Sequence, residues 1–253
     1  MMKEIELIIA WLQKECPSRI AKGLIVGISG GIDSAVTSTL CAMTGLPVHV
    51  MTMPIFEVGK NNELAEKQIE WLKEKFPENV TSESVDLSDI YDEVEKVVPH
   101  ELARINSKAR LRMILLYSRA TERSFIVVGT GNKVEDFGIG FFTKYGDGGV
   151  DISPIADLTK SQVYAVAKEL NIPQEIQDAP PTDGLWKDGR NDEDQIGATY
   201  EELEWAMKYQ ESGIQYAVFH LTEREAEVLD IYNKHRTRNH HKMVPVPVCK
   251  MEQ

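Results

Sequence analysis

The chain has 253 residues, 42% hydrophobic and 27% charged, which suits one large α/β domain of an ordinary globular enzyme. A formal net charge of −12 argues against nucleic acid as a partner, because affinity for a polyanion rests on neutralising many phosphates at once; an anionic ligand must instead be met by a few placed Lys and Arg. No apolar run approaches the roughly 20 residues that span a bilayer, and Cys16, Cys41 and Cys249 form no CxxC pair, so a membrane span, a zinc site and a disulfide framework are all disfavoured and a reducing cytoplasm is the expected location.

The opening "MMKEIELIIAWLQKE" reads as an amphipathic helix with Ile5, Ile8, Ile9 and Leu12 on one face. Acids inside its apolar stretch and the lack of a small-residue cleavage site exclude a signal peptide. "GLIVGIS" (23–29) reads as a strand and Asp33 to Met43 as a helix. "VHVMTMP" (48–54) is a second strand, followed by a helix from Asn61 to Phe76 with Ala65, Ile69, Leu72 and Phe76 at helical spacing. "VTSESVDLS" (80–88) suggests a third, polar strand. Helical segments near 88–98 and 105–121 come next, the latter with "MILLY" (113–117) as a core face, and then a fourth strand, "SFIVVGT" (124–130). Thr159 to Leu170 is a further helix with a threonine cap. This alternation predicts a single Rossmann-like α/β domain, a parallel twisted sheet with helices on both faces. Ligands of such sheets bind beyond the carboxyl ends of the strands, so the segments after strands 1 and 4 are expected to converge. In the last third, "DAPPTDGLWKDGRNDEDQ" (178–195) reads as one long loop. Helices from Tyr200 to Tyr209 and from Thr222 to about Thr237 follow, then a basic tail "KHRTRNHHK" (234–242).

The chemistry concentrates first in Gly27 to Ser34, "GISGGIDS". Glycines between a strand and a helix let the backbone approach an anion, and the helix N-terminus offers free N–H groups to it. Ser29 and Ser34 add hydroxyls. The Lys-Ser/Thr of a Walker loop is missing, and Asp33 stands near its place. A carboxylate in a phosphate cradle repels the ligand unless a divalent cation bridges them, which implies Mg²⁺. The plainer alternative is a glycine-rich turn with Asp33 as a first-turn helix acid.

"SGGIDS" resembles the signature of the N-type ATP pyrophosphatases, which split ATP between the α and β phosphates. "NSKARLRM" (106–113), "VVGTGNKVED" (127–136), "GFFTKYGDGGVDISPIADLTK" (140–160), "APPTDGLW" (179–186), "DEDQIGATYEEL" (192–203) and "HHK" (240–242) occur in that order and resemble NAD synthetase segments over nearly the whole chain. The resemblance implies an adenylating ligase that joins the nicotinate carboxylate of deamido-NAD to AMP and then admits ammonia. Gly27, Ile28, Ser29, Gly30, Gly31, Ile32, Asp33, Ser34, Thr130, Lys160 and Thr182 would then contact ATP, and Asp33 and Glu135 would hold Mg²⁺. Arg110, Lys144, Asp151, His241 and Lys242 would contact deamido-NAD. Lys160 and Asp147 would be catalytic, Asp147 by holding ammonium and taking its proton. The family also implies a homodimer with the dinucleotide site near the interface. "NKVED" departs from the usual pattern around the second metal carboxylate and lets Asp136 share the ion. The ATP loop begins too early for a glutamine amidase domain to precede it, so free ammonia is the expected nitrogen donor.

Each residue has a plainer reading: Arg110 as a solvated helix charge, Thr130 as a strand end, Glu135 as a cap, Asp147 as a shaper of its glycine-rich turn. His235, His240 and His241 lack the spacing of a metal site. An RNA-modifying pyrophosphatase would need a basic surface, and a non-catalytic nucleotide sensor would need neither paired carboxylates nor a second cationic site. The glycine and charge content of 131–149 and 180–195 suggests segments that stay open without ligand.

Overall fold

The computed structural model describes residues 1–56, 60–181, 191–212 and 221–251. Four short β-branched runs become one sheet: β1 (Gly23–Gly27), β2 (Val48–Thr52), β3 (Val80–Ser84) and β4 (Phe125–Val128). All pairings are parallel and the order is β3-β2-β1-β4, with Leu24 paired to both Val48 and Ile126. The chain winds outward from β1 to β3 and then crosses back to β4 on the far side of β1. That reversal sets the loops after β1 and β4 side by side at the carboxyl edge of the sheet, where this topology opens a crevice.

Because strand side chains alternate, β1 serves two cores. Leu24 and Val26 pack with α1 (Met2–Ser18), α2 (Ile32–Met43), α3 (Lys60–Lys75) and α6 (Lys160–Glu169). Ile25, with Met51 and Val127, packs under α4 (Ser88–Val97) and α5 (Glu101–Arg123), against Tyr91 and Ala120. Helices thus cover both faces, as the alternation requires. On α1, Ile5 and Leu12 are buried, and Ile8 and Ile9 pack half-buried beside them. Edge strand β3 is polar after Val80. The outer edge of β4 is sealed: the Asp151 carboxylate accepts the Val127 N–H at 2.8 Å, and Gly129 N–H donates to the Ile152 carbonyl at 2.8 Å.

A third core lies apart from the sheet. It joins a π-helical turn, Val134–Ile139, to α8 (Asp192–Ile196), α9 (Tyr200–Glu211) and α10 (Glu223–Met243), around Leu203, Met207 and Tyr232. The short α7 (Gln174–Gln177) falls between the π-turn and α8 in sequence, and α9 packs on α6.

Several expectations change. The predicted strands run too long at their carboxyl ends, because Ile28, Ser29, Met53, Pro54, Gly129 and Thr130 leave the sheet to build the crevice. The loop expected over 178–195 ends in α8, capped by Asn191 accepting the Asp194 N–H at 2.7 Å; residues 182–190 lie outside the described set. The basic stretch 234–242 is no tail but the last turns of α10, where cations suit the negative end of a helix. Residues 131–149 form the π-turn and a series of tight turns, not an open loop. "MILLY" is a core face only in part: Leu115 and Leu116 are half-buried, but Ile114 is 56% exposed. No helix among the described residues is long and apolar enough to cross a membrane.

Gly140 ends the π-turn with φ +64°, and a Cβ there would stand 2.5 Å from Cβ of Asn239 on α10. Gly140→Ala should therefore destabilise the fold by about 2 kcal/mol, lowering the melting temperature by roughly 4–8 °C. An unchanged thermal melt would show that the turn is not held against α10.

Candidate active site

The loop after β1 is shaped by its own backbone. Gly30 has φ +84°, and a Cβ there would fall 2.2 Å from the Asn61 carbonyl oxygen of α3, so only glycine passes this point. The Ser34 hydroxyl donates to the Gly31 carbonyl at 2.9 Å and accepts the Ser29 N–H at 3.2 Å. The Ser29 hydroxyl lies 3.2 Å from Ser34 Oγ and accepts the Gly31 N–H at 3.3 Å. Both hydroxyls expected to face a phosphate are thus engaged in holding the loop's shape. Gly31 is the N-cap of α2, where no described side chain caps the helix, so its first-turn amides suit an anion.

Lys160 opens α6 and is 3% exposed, a cation buried at a helix N-terminus where the dipole opposes it. Its Nζ lies 2.5 Å from Asp33 Oδ2 and 3.3 Å from Glu135 Oε1. The helix start is fixed by the buried Glu204 of α9, whose carboxylate accepts the Ser161 N–H at 2.8 Å. The other Asp33 oxygen accepts from Asn132 Nδ2 at 3.2 Å. Buried Asn132 also accepts the N–H groups of Val134 and Glu135, at 3.1 and 3.2 Å. One side chain thereby starts the π-turn and aims Asp33. The Tyr200 hydroxyl donates to Glu135 Oε1 at 2.5 Å and lies 3.3 Å from Asp192 Oδ2, while its ring sits 4.5 Å from Lys160 Nζ.

These neighbours set the charges. Burial alone would lower the Lys160 ammonium, but Asp33 and Glu135 together raise it well above the ordinary lysine value, so it stays charged. Burial raises the Asp33 carboxyl, opposed by Lys160 and reinforced by Glu135. Burial, then Glu135 and Asp192, hold the Tyr200 hydroxyl far above its usual range and make it a fixed donor. Asp136 rests its carboxylate on bare Gly131, where a Cβ would come 2.2 Å from Oδ1. It is pushed up to about 8 by burial and then by Glu135, Asp147 and Asp33. The Asp147 carboxylate accepts the Thr143 N–H at 3.0 Å. Surrounding protein pushes it up to about 6, a shift that solvent at this exposed turn limits.

Asp33 and Glu135 converge on Lys160 Nζ, and their hard oxygens beside it are of the kind that suits Mg²⁺. Among the described residues there is no group of three or more His, Cys, Asp or Glu arranged for a metal, the α10 histidines included. Two carboxylates completed by a ligand's phosphate oxygens is the usual manner of Mg²⁺ at nucleotide sites.

A cavity of about 260 Å³ joins the loop after β1 to Thr130, Glu135, Asp136, Asp147 and Lys160, so the segments after strands 1 and 4 converge. Thr182 lies outside the described residues. Arg110, Lys144, Asp151, His241 and Lys242 are not among the cavity's walls. Arg110 reaches the Lys144 carbonyl at 3.4 Å, and Lys144 Nζ donates to the His241 carbonyl at 2.7 Å. Lys242 Nζ donates to the carbonyls of Gly140 (2.9 Å) and Phe142 (2.6 Å). Arg236 and Asn239 extend this row to Phe137, Gly138 and Ile139. Asp151 receives the Tyr117 hydroxyl at 3.2 Å besides sealing β4. Sequence reasoning missed Asn132, Asp192, Tyr200 and Glu204. Asn132, Asp192 and Tyr200 fall inside the quoted "NKVED" and "DEDQIGATYEEL" stretches, but nothing there assigns them a role.

The raised Asp136 carboxyl keeps its proton in the folded state where the unfolded chain has lost it, so it lowers stability progressively from about pH 4 towards pH 8. In metal-free protein, Asp136→Asn should melt higher than the parent, by a margin that widens from pH 5 to pH 8. A margin independent of pH would show that the carboxyl titrates normally.

The family described as NAD synthase matches residues 4–245. The curated ammonia-dependent NAD(+) synthetase of Methanosarcina mazei is 35% identical, covering 96% of each chain. That of Carboxydothermus hydrogenoformans is 34% identical over 95% of this chain and 94% of its own. Among solved structures, an NMN synthetase from Francisella tularensis superposes with a TM-score of 0.84 at 32% identity, covering 99% of this chain and 98% of its own. An NH3-dependent NAD synthetase from Campylobacter jejuni, in complex with nitrate, gives 0.80 at 26% identity, covering 98% and 99%. With the glycine loop after β1, the paired carboxylates and the crevice between β1 and β4 all in place, the chain belongs to the NAD synthase family.

Proposed function

We propose that the protein amidates deamido-NAD to NAD⁺ with ATP and ammonia, releasing AMP and pyrophosphate in the last step of NAD synthesis. The observation that carries this reading is the buried Lys160 held between Asp33 and Glu135 beside an anion-ready helix N-terminus. The nicotinate carboxylate attacks the α-phosphorus, and the bond to the β-phosphate oxygen breaks. The first-turn amides of α2 receive the departing pyrophosphate, with Lys160 as the fixed positive charge beside it. Mg²⁺, held by Asp33 and Glu135, would neutralise phosphate charge. Ammonia then adds to the acyl carbon and AMP leaves. Only neutral ammonia is a nucleophile, and Asp147, which lines the cavity, would take the proton lost from nitrogen. The absent Walker lysine is understandable, because the γ-phosphoryl group is not transferred.

Arg110, Lys144, His241 and Lys242 lie outside the cavity, and Arg110 shares α5 with the exposed Leu102 and Ile114. That grouping supports a homodimer in which the dinucleotide borders the interface; light scattering that reports a monomer at micromolar concentration would remove this part of the reading. The likeness to an NMN synthetase supports a second reading, in which the nicotinate substrate is a mononucleotide.

One assay separates these. Protein, Mg-ATP and ammonium, given deamido-NAD or nicotinate mononucleotide in parallel, should yield NAD⁺, AMP and pyrophosphate from the dinucleotide. Preferential turnover of the mononucleotide would establish the second reading, and ADP as product would sink both. Glutamine in place of ammonium should give no robust turnover. Asp33→Asn, which leaves the buried Lys160 ammonium with one carboxylate fewer, should melt lower than the parent; assayed below its melting temperature it should lose turnover by roughly 10²–10³, the scale of one removed electrostatic group, with only partial rescue by excess Mg²⁺.

A further inference from the structure

Tyr200 is 5% exposed and belongs to the helical core of α9, yet its hydroxyl contacts only carboxylates of the charged site among the described residues. Its hydroxyl is 2.5 Å from Glu135 Oε1 and 3.3 Å from Asp192 Oδ2, and its ring lies 4.5 Å from Lys160 Nζ. A phenol has one proton to give, so the two carboxylates compete for it and the shorter contact goes to Glu135. Asp192 is itself buried, at 6% exposure, and is fixed by its N–H on the Pro181 carbonyl at 3.1 Å. Tyr200 is fixed in turn by its N–H on Glu193 Oε1 at 2.9 Å. Among the described residues both donors to the Glu135 carboxylate, Tyr200 and Lys160, fall on Oε1. That leaves Oε2 as the oxygen available to a cation.

We propose that Tyr200, with Asp192 as its second acceptor, is a positioning residue that orients Glu135 for metal and backs the Lys160 ammonium. Nothing in a helix-core tyrosine requires such contacts; a phenylalanine would fill the same space. The hydroxyl therefore acts on the metal site from one shell further out, and groups in that place typically change metal affinity by 10–100-fold when removed. The proposal rests on the amidation reading for its kinetic consequence, but its first readout does not.

The test titrates Mn²⁺ against the whole protein with α,β-methylene-ATP, following free Mn²⁺ by electron paramagnetic resonance. Tyr200→Phe should weaken Mn²⁺ retention by about tenfold. In the amidation assay it should lower kcat by about tenfold and leave KM for deamido-NAD within about twofold, because the change touches the metal carboxylate and not the dinucleotide contacts. Asp192→Asn, which frees the hydroxyl for Glu135, should shift Mn²⁺ retention by no more than about threefold. The double variant should stay within about threefold of Tyr200→Phe, since the Tyr200 hydroxyl is the group that contacts both Asp192 and Glu135. Tyr200→Phe with unchanged Mn²⁺ retention overturns the proposal, whether or not its melting temperature falls. A double variant more than about threefold below Tyr200→Phe overturns the role given to Asp192. A parent protein that retains no Mn²⁺ removes the metal-binding pair and the proposal with it. One that retains Mn²⁺ through Tyr200 but makes no NAD⁺ defeats only the amidation reading.

Discussion

A lysine ammonium almost wholly withdrawn from water sits between two carboxylates contributed by different parts of the molecule. Asp33 belongs to α2 and Lys160 to α6, both packed on the sheet, while Glu135 belongs to the separate helical core. Removing one partner of a buried pair leaves an uncompensated charge, which costs about 3–5 kcal/mol. The junction between the two cores is therefore specified by charge, whereas each core on its own is specified by apolar packing. The rest of the site depends on that junction: Asn132 aims Asp33, Glu204 fixes the start of α6, and Tyr200 holds Glu135.

The helical core holds a stretch of chain that has little regular structure of its own. A π-helical turn is rare and is found frequently at functional sites. Here α10 holds the turn. Arg236, Asn239 and Lys242, at successive turns of one face, donate to backbone carbonyls from Phe137 to Phe142. The stretch between Glu135 and Asp147 is thereby set by a helix more than ninety residues later, and the two acids keep their spacing without a strand beneath them.

Much of this was legible in the sequence. β-branched runs gave four strands, glycines at a strand end gave the tight loop before α2, and alternation gave the parallel sheet that brings Ser29 and Thr130 together. Other parts left no periodic trace. Val134–Ile139 has neither a 3.6-residue nor a two-residue pattern, so it read as loop. Tyr200 and Asp192 looked like an ordinary helix start and an acidic loop residue, because which atom a polar side chain touches depends on tertiary placement. The cations of 234–242 were visible as charge, but charge alone does not tell a ligand contact from a donor to the protein's own carbonyls. In this structure Lys242 is such a donor, and Asp151 seals a strand.

The sealing of β4 reaches beyond the sheet itself. A parallel sheet with a free margin can take on a strand from another polypeptide, by design or by accident. At this margin the Val127 amide is taken by a side chain and the Gly129 amide by the Ile152 carbonyl. The opposite margin, β3, presents Thr81, Ser82 and Glu83, with Glu83 already gripped by Arg119 at 2.9 Å. The β4 margin beside the crevice is thus closed to an added strand, while the β3 margin is guarded by polar and charged side chains alone.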